Sequence, residues 1–212
     1  HESPENYPKF TQGLDQRLSF VAYRMLSAGC SLLENNDNQE GEALLYNAGD
    51  LLESIHKSPS QNDSTSAFQC LIGAMAFYAS GHYSRAFVLV KRVETITPIA
   101  AVMASFLKKD TLQLIFRLNE VLLIQPTKLI ESADMDRYAL DVTIARSIAN
   151  IVEHTITGNP IFLELADNIL RDAILISEGG SQPSYWWITR LLQLMLNKYK
   201  QGSLWTTIPP YF

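Results

Sequence analysis

The chain has 212 residues, 47% of them apolar and 18% charged. It can therefore bury a sizeable core and is too apolar to be disordered. Its net charge of −5 says little about partners, but no run of 18 or more apolar residues occurs, which excludes a helical membrane span. The N-terminus lacks the basic-then-apolar order of a signal peptide. Cys30 and Cys70 both sit in apolar helical runs and read as buried thiols. Two cysteines in a chain of this length suggest no disulfide framework and agree with a cytoplasmic location.

In chain order, residues 1–13 are polar with Pro4 and Pro8 and read as a leader without a core face. From Leu14 to Leu33 apolar residues recur at helical spacing: Leu18, Val21, Ala22, Met25, Leu26, Cys30 and Leu33. Asn35 to Asn38 interrupts, and Glu40 to Ile55 resumes the pattern, so the two runs predict an antiparallel pair. The stretch 58–66, SPSQNDSTS, is the most linker-like in the chain and a candidate sub-boundary, with Ser64 or Thr65 placed to cap the next helix.

The segment from Ser66 to Pro98 writes out a complete unit. Ala74, Phe77 and Tyr78 share one side of a run that stops at Gly81; Tyr83, Ala86, Phe87, Val90 and Val93 mark a second run that stops at Pro98. These residues resemble a tetratricopeptide repeat, the helix-turn-helix unit of about 34 residues. The resemblance implies a paired-helix interaction scaffold and covers about one sixth of the chain.

Beyond Pro98, an apolar run from Ile99 to Leu107 ends at Lys108-Lys109, and Asp110 reads as the cap of a helix ending near Ile124. Gln125-Pro126 terminates it. Residues 127–133 read as a short helix or turn; Asp134 or Asp136 opens a run that ends at Gly158. Asn159-Pro160 starts another helix, which Gly179-Gly180 terminates, and Ser184 caps a last one reaching Lys200. The expected fold is all-α: about nine helices in stacked antiparallel pairs, a tetratricopeptide-like or irregular helical-repeat bundle. One domain spans 14–200, followed by an extended tail over 201–212. Ala43, Ala86 and Ala166 begin similar spacings but lie 43 and 80 residues apart, so a uniform solenoid is not expected.

Few residues read as chemistry. His1, His56, His82 and His154 do not stand four apart from one another or from a cysteine, so no metal site is written. No glycine-rich phosphate loop or serine nucleophile elbow occurs, and no catalytic residue, cofactor or metal is expected. Arg146 and His154, in RSIANIVEH, resemble the arginine–histidine pair of helical ribonucleases, with one intervening residue more than that motif allows. Eight positions on a helix separate them by about 80° of rotation. Glu153-His154 and Asp134, Asp136 and Asp141 offer carboxylates without a partner motif; a solvated helix start explains the aspartates better.

The C-terminal end is different. From Gly179 to Phe212 there are three basic residues, Arg190, Lys198 and Lys200, and no acidic one, leaving the first 178 residues at −8. Such a basic end suits a polyanion or an acidic neighbour. Tyr185, Trp186, Trp187 and Arg190 combine the aromatic and arginine side chains that nucleic-acid platforms and protein hot spots use, although an anchor in the core explains them too. With Lys198, Lys200 and Trp205 they form the candidate interaction surface. Tyr185 to Trp187, Arg190, Leu191 and Leu204 to Pro210 resemble the lead-in to the motor of large bacterial DEAD/DEAH-type superfamily 2 helicases. That resemblance implies a non-catalytic accessory module preceding an ATPase, which docks a protein partner or the following domain, or steers nucleic acid. No Walker lysine or DEAD/DEAH box lies in this chain, so no helicase catalytic residue carries over. The alternatives are an autonomous helical nuclease using Arg146 and His154, and a stand-alone adaptor. Opening on His1 and closing on IPPYF, the chain reads as a piece of a longer polypeptide.

Overall fold

Short local signals divide the chain into helices. The computed structural model describes residues 7–55, 64–95, 97–123, 132–178 and 183–201. Among them are nine α-helices and no strand: α1 (Tyr7–Glu34), α2 (Asn38–Ile55), α3 (Ser64–Ala79), α4 (Tyr83–Lys91), α5 (Pro98–Lys108), α6 (Thr111–Leu122), α7 (Ser132–Thr157), α8 (Ile161–Glu178) and α9 (Pro183–Lys200). The all-α expectation holds.

Gly81 turns α3 into α4 with φ +82°, a conformation that any Cβ would strain. The His82 N–H then donates to the Phe77 carbonyl at 2.8 Å. Asp110 caps α6 as its position predicts, its carboxylate accepting from the Gln113 N–H at 3.1 Å.

Several boundaries differ from the reading of the sequence: α3 already includes Ser64 and Thr65, the residues expected to cap it, and α7 begins at Ser132, before Asp134 or Asp136. Helix α4 stops at Lys91, not at Pro98. Thr97, extended at φ −137° and ψ 151°, accepts from the Ala100 N–H, so Pro98 opens α5 instead of closing α4. Proline constrains the residue before it to extended torsions and suits the first helical position. The same preference explains α9, which begins at Pro183 and leaves Ser184 inside the helix, not at its cap. Helix α1 starts at Tyr7, earlier than the periodicity predicts, with Pro8 in its first turn where its missing N–H costs nothing. The residues expected to form a short helix or turn fall mostly outside the described ones, as do the linker core and the tail.

Successive helices pair antiparallel. The backbones of α1 and α2 approach at Gly29 and Gly41, where an added Cβ on Gly29 would lie 3.0 Å from the Gly41 carbonyl oxygen. Those of α2 and α3 meet at Gly49 and Gly73, where a Cβ on Gly49 would lie 3.0 Å from the Phe77 ring. Further along, the Ser147 hydroxyl of α7 donates to the Ala166 carbonyl of α8.

Helices α3 and α5 are apolar nearly all round, α9 is buried through its middle, and the three fill the centre. Residues 71–80 of α3 with its turn, 99–107 of α5 and 191–196 of α9 are all buried. The outer helices α1, α2, α4, α6, α7 and α8 each keep an exposed face. Helix α9 does not extend the stack at its end but returns to its middle. It packs against α3, α8 and α1 and meets α5 and α7 around Phe106, Ile151 and Leu196.

Candidate functional site

The predicted interaction residues on α9 are mostly spent inside the molecule. Tyr185 is fully buried; its ring lies 5.0 Å from Phe68 and its hydroxyl donates to Asp141 at 2.6 Å. Asp141, weighed in the sequence as a catalytic carboxylate, here receives the hydroxyl of an anchor. Trp187 stacks on Tyr23 of α1, centroids 5.5 Å apart and planes at 17°. Trp186 meets Trp187 edge-on at 4.6 Å. Both tryptophans are half-buried, because neighbours on a helix point about 100° apart and only one can face α1 squarely.

All three basic side chains of α9 find acids on the body. Arg190 pairs with Glu34 at 2.6 Å. Lys198 pairs with Glu42 at 2.8 Å and donates to the Ala79 carbonyl at 2.9 Å. Lys200 pairs with Asp167 at 3.0 Å. The acidic neighbour that the charge asymmetry called for is, for these three, the chain's own body. Partly exposed pairs of this kind contribute at most about 1 kcal/mol each. Each fully buried Leu or Ile contributes about 1.5–3 kcal/mol, so apolar packing holds α9 and the ion pairs set its register. Trp205 lies outside the described residues.

Asp167 is the best-connected carboxylate. Burial at 8% exposure would raise its pKa, but the Gln193 amide, Lys200 and Arg171 hold it below the ordinary value. It braces α8 to α9.

An open cleft of about 210 Å³ lies between α1, α8 and α9. Trp186, Trp187 and Arg190 of α9 form its floor, Ser27, Cys30 and Ser31 of α1 one wall, and Ile174 of α8 the other. The Cys30 thiol is 2% exposed, and burial pushes its pKa up to about 12 despite nearby Arg190. It is thus a neutral apolar wall and no nucleophile. With Arg190 neutralised by Glu34, the cleft is an aromatic slot with hydroxyls on one edge.

Sequence reasoning found the floor of this cleft and missed its α1 wall. Arg17, Phe20 and Arg24 run in line with Ser27 and Ser31, and all five are exposed. The 3- and 4-residue spacings that define this face were visible, but the core face of the same helix was the stronger pattern. Also missed was Arg85, which donates to Tyr46 at 2.7 Å, pairs with Asp50 at 2.7 Å and lies 4.4 Å over the Phe77 ring. It ties α4 to α2, and nothing local in the sequence marks it.

The nuclease pair is not assembled. Arg146 is exposed, while the His154 Nδ1 lies 2.9 Å from the Asn159 carbonyl oxygen and its ring meets Tyr199 edge-on. Eight helical residues put about 12 Å of axial rise between the two. The side chains of Asp134 and Asp136 lie outside the described residues. Among those described, no group of three or more His, Cys, Asp or Glu is placed to hold a metal, and no helix is long and apolar enough to cross a membrane.

No family model matches the chain. One curated protein does. The chain is 24% identical over 210 residues to Hachiman protein HamB of Bacillus cereus. That alignment takes in 99% of this chain and 19% of the relative, so the chain spans about a fifth of the length of the protein it matches.

Proposed function

We propose that the chain is a non-catalytic helical interaction module of a longer, nucleic-acid-processing ATPase of the DEAD/DEAH type, working in the bacterial cytoplasm. The observation that carries this is the alignment of nearly the whole chain with a fifth of a much longer relative, Hachiman protein HamB. That is the relation of one module to a multi-domain machine. The helicase-like residues Tyr185 to Trp187, Arg190 and Leu191 support the same placement. In the structure they lie on the helix that ties the bundle together, suited to hold it as one body beside a motor. The paired helices around Gly81, with their tetratricopeptide-like spacing, give the module its shape, and the cleft over Trp186 gives it a receiving surface for a protein segment.

The coding sequence provides the test. It is expected to continue past Phe212 into a glycine-rich phosphate loop ending Gly-Lys-Ser/Thr, followed by an acidic metal-binding box. A stop codon directly after Phe212, or a continuation without a phosphate loop, overturns the proposal.

A further inference from the structure

The cleft over Trp186 and Trp187 continues along α1. Residues 17, 20, 24, 27 and 31 fall within a stripe about 80° wide and about 21 Å long on an ideal helix. Ser27 and Ser31 at its C-terminal end line the cleft. Phe20 is 65% exposed, and the Arg24 guanidinium carbon stands 5.9 Å from the centre of its ring.

Neither Arg17 nor Arg24 has an ion-pair partner among the described residues, whereas Arg190, Lys198 and Lys200 each have one. On a chain of net charge −5, two unpaired arginines beside an exposed phenylalanine and an aromatic slot form a distinct local surface. Asp15, the nearest acid on α1, is about 160° away from Arg17 around the helix.

Resting on the proposal that the chain is an interaction module, we infer that this surface receives a protein segment of one chemistry. The segment is amphipathic, with an apolar anchor seated over Trp186 and carboxylates that pair with Arg17 and Arg24. Three features favour it over single-stranded nucleic acid. The slot's Cys30 and Ile174 have nothing to offer a phosphate, and only the Ser27 and Ser31 hydroxyls on one edge could donate to one. Its own arginine is already neutralised by Glu34. Two arginines neutralise only about two phosphates, too few to hold a polyanion against an acidic body. An apolar groove with a charged rim is the geometry used for amphipathic helices.

The experiment selects 16-residue random peptides displayed on phage against the 212-residue chain, and compares it with R17A/R24A and W186A variants checked for unchanged far-ultraviolet circular dichroism and melting temperature. Recovered peptides are expected to carry two or more acidic residues beside an aliphatic or aromatic one. Their affinity should fall at least five-fold for R17A/R24A and about ten-fold for W186A, and should weaken with salt. If W186A melts lower, W186F, which keeps the packing, replaces it. No enriched peptides, peptides without acidic residues, or equal affinity for R17A/R24A overturn the inference. So does a fluorescent dT20 strand that binds the chain and loses its binding in R17A/R24A. A coding sequence without a phosphate loop would leave this result standing and remove only the ATPase placement.

Discussion

Cys30 shows how little a residue's identity says before its surroundings are known. A thiol one helical turn from Glu34 and close to Arg190 has the look of an activated cysteine, since a guanidinium favours thiolate. Burial outweighs that attraction and Glu34 opposes it, so the thiol's pKa is pushed up to about 12. Cys70 is equally enclosed. Both are expected to resist a neutral aromatic disulfide reagent at pH 8 in the folded protein and to react together in denaturant. Stoichiometric labelling of Cys30 under native conditions would show that the α1–α9 contact opens. Arg85 makes the complementary point: a residue that nothing local in the sequence marks fastens α4 to α2 through Tyr46, Asp50 and Glu53.

At the scale of the helices, the crossings of α2 with its neighbours depend on absent side chains. Gly49 faces Gly73 across α2 and α3, with the Phe77 ring 3.0 Å from where a Cβ would sit and the Gly73 carbonyl oxygen at 3.1 Å. Alanine gains helix propensity of up to about 1 kcal/mol over glycine, but here it meets a fully buried ring and a backbone atom that cannot step aside. Overpacking typically costs about 1–3 kcal/mol, so the steric cost outweighs the propensity gain. Gly49→Ala is expected to lower the melting temperature by several degrees; a rise would mean that the helices have room to separate. Periodicity marked the elements themselves well, with α2, α5 and α8 close to their expected ranges. It misjudged the end of α4, where apolar spacing appeared to continue but Thr97 and Pro98 required an extended backbone.

Across the whole molecule, α9 makes the difference between a row of hairpins and a closed bundle. Its buried residues 191–196 complete a core shared with α3 and α5, and its charged residues lock to acids on three other helices. Asp167 carries the pH dependence of that closure. Its folded pKa lies below the ordinary value, so the unfolded chain binds protons more readily in the acid range. The stabilisation is full above about pH 4 and is lost as the pH falls through the depressed folded value. Asp167→Asn is expected to cost about 2 kcal/mol at pH 7, read as roughly 4–8 °C in melting temperature, and to flatten the acid limb. Thermal melts from pH 7 to pH 2 check both. An unchanged acid limb would place the titrating group elsewhere.

The sequence by itself determined the all-α class, most helix boundaries and the buried state of both cysteines, because helical periodicity, caps and breakers act within a few residues. It also singled out Tyr185, Trp186, Trp187 and Arg190 as unusual. Only the tertiary structure decided their roles: Tyr185 became an anchor, Arg190 an ion pair with Glu34, and the two tryptophans the floor of a cleft whose wall comes from the other end of the chain. That division has a physical cause. Which face of a helix is apolar is a local property, but which other helix covers it depends on the lowest-energy packing of all nine. The return of α9 to the centre of the bundle is a fact about that packing, and no spacing along the chain encodes it.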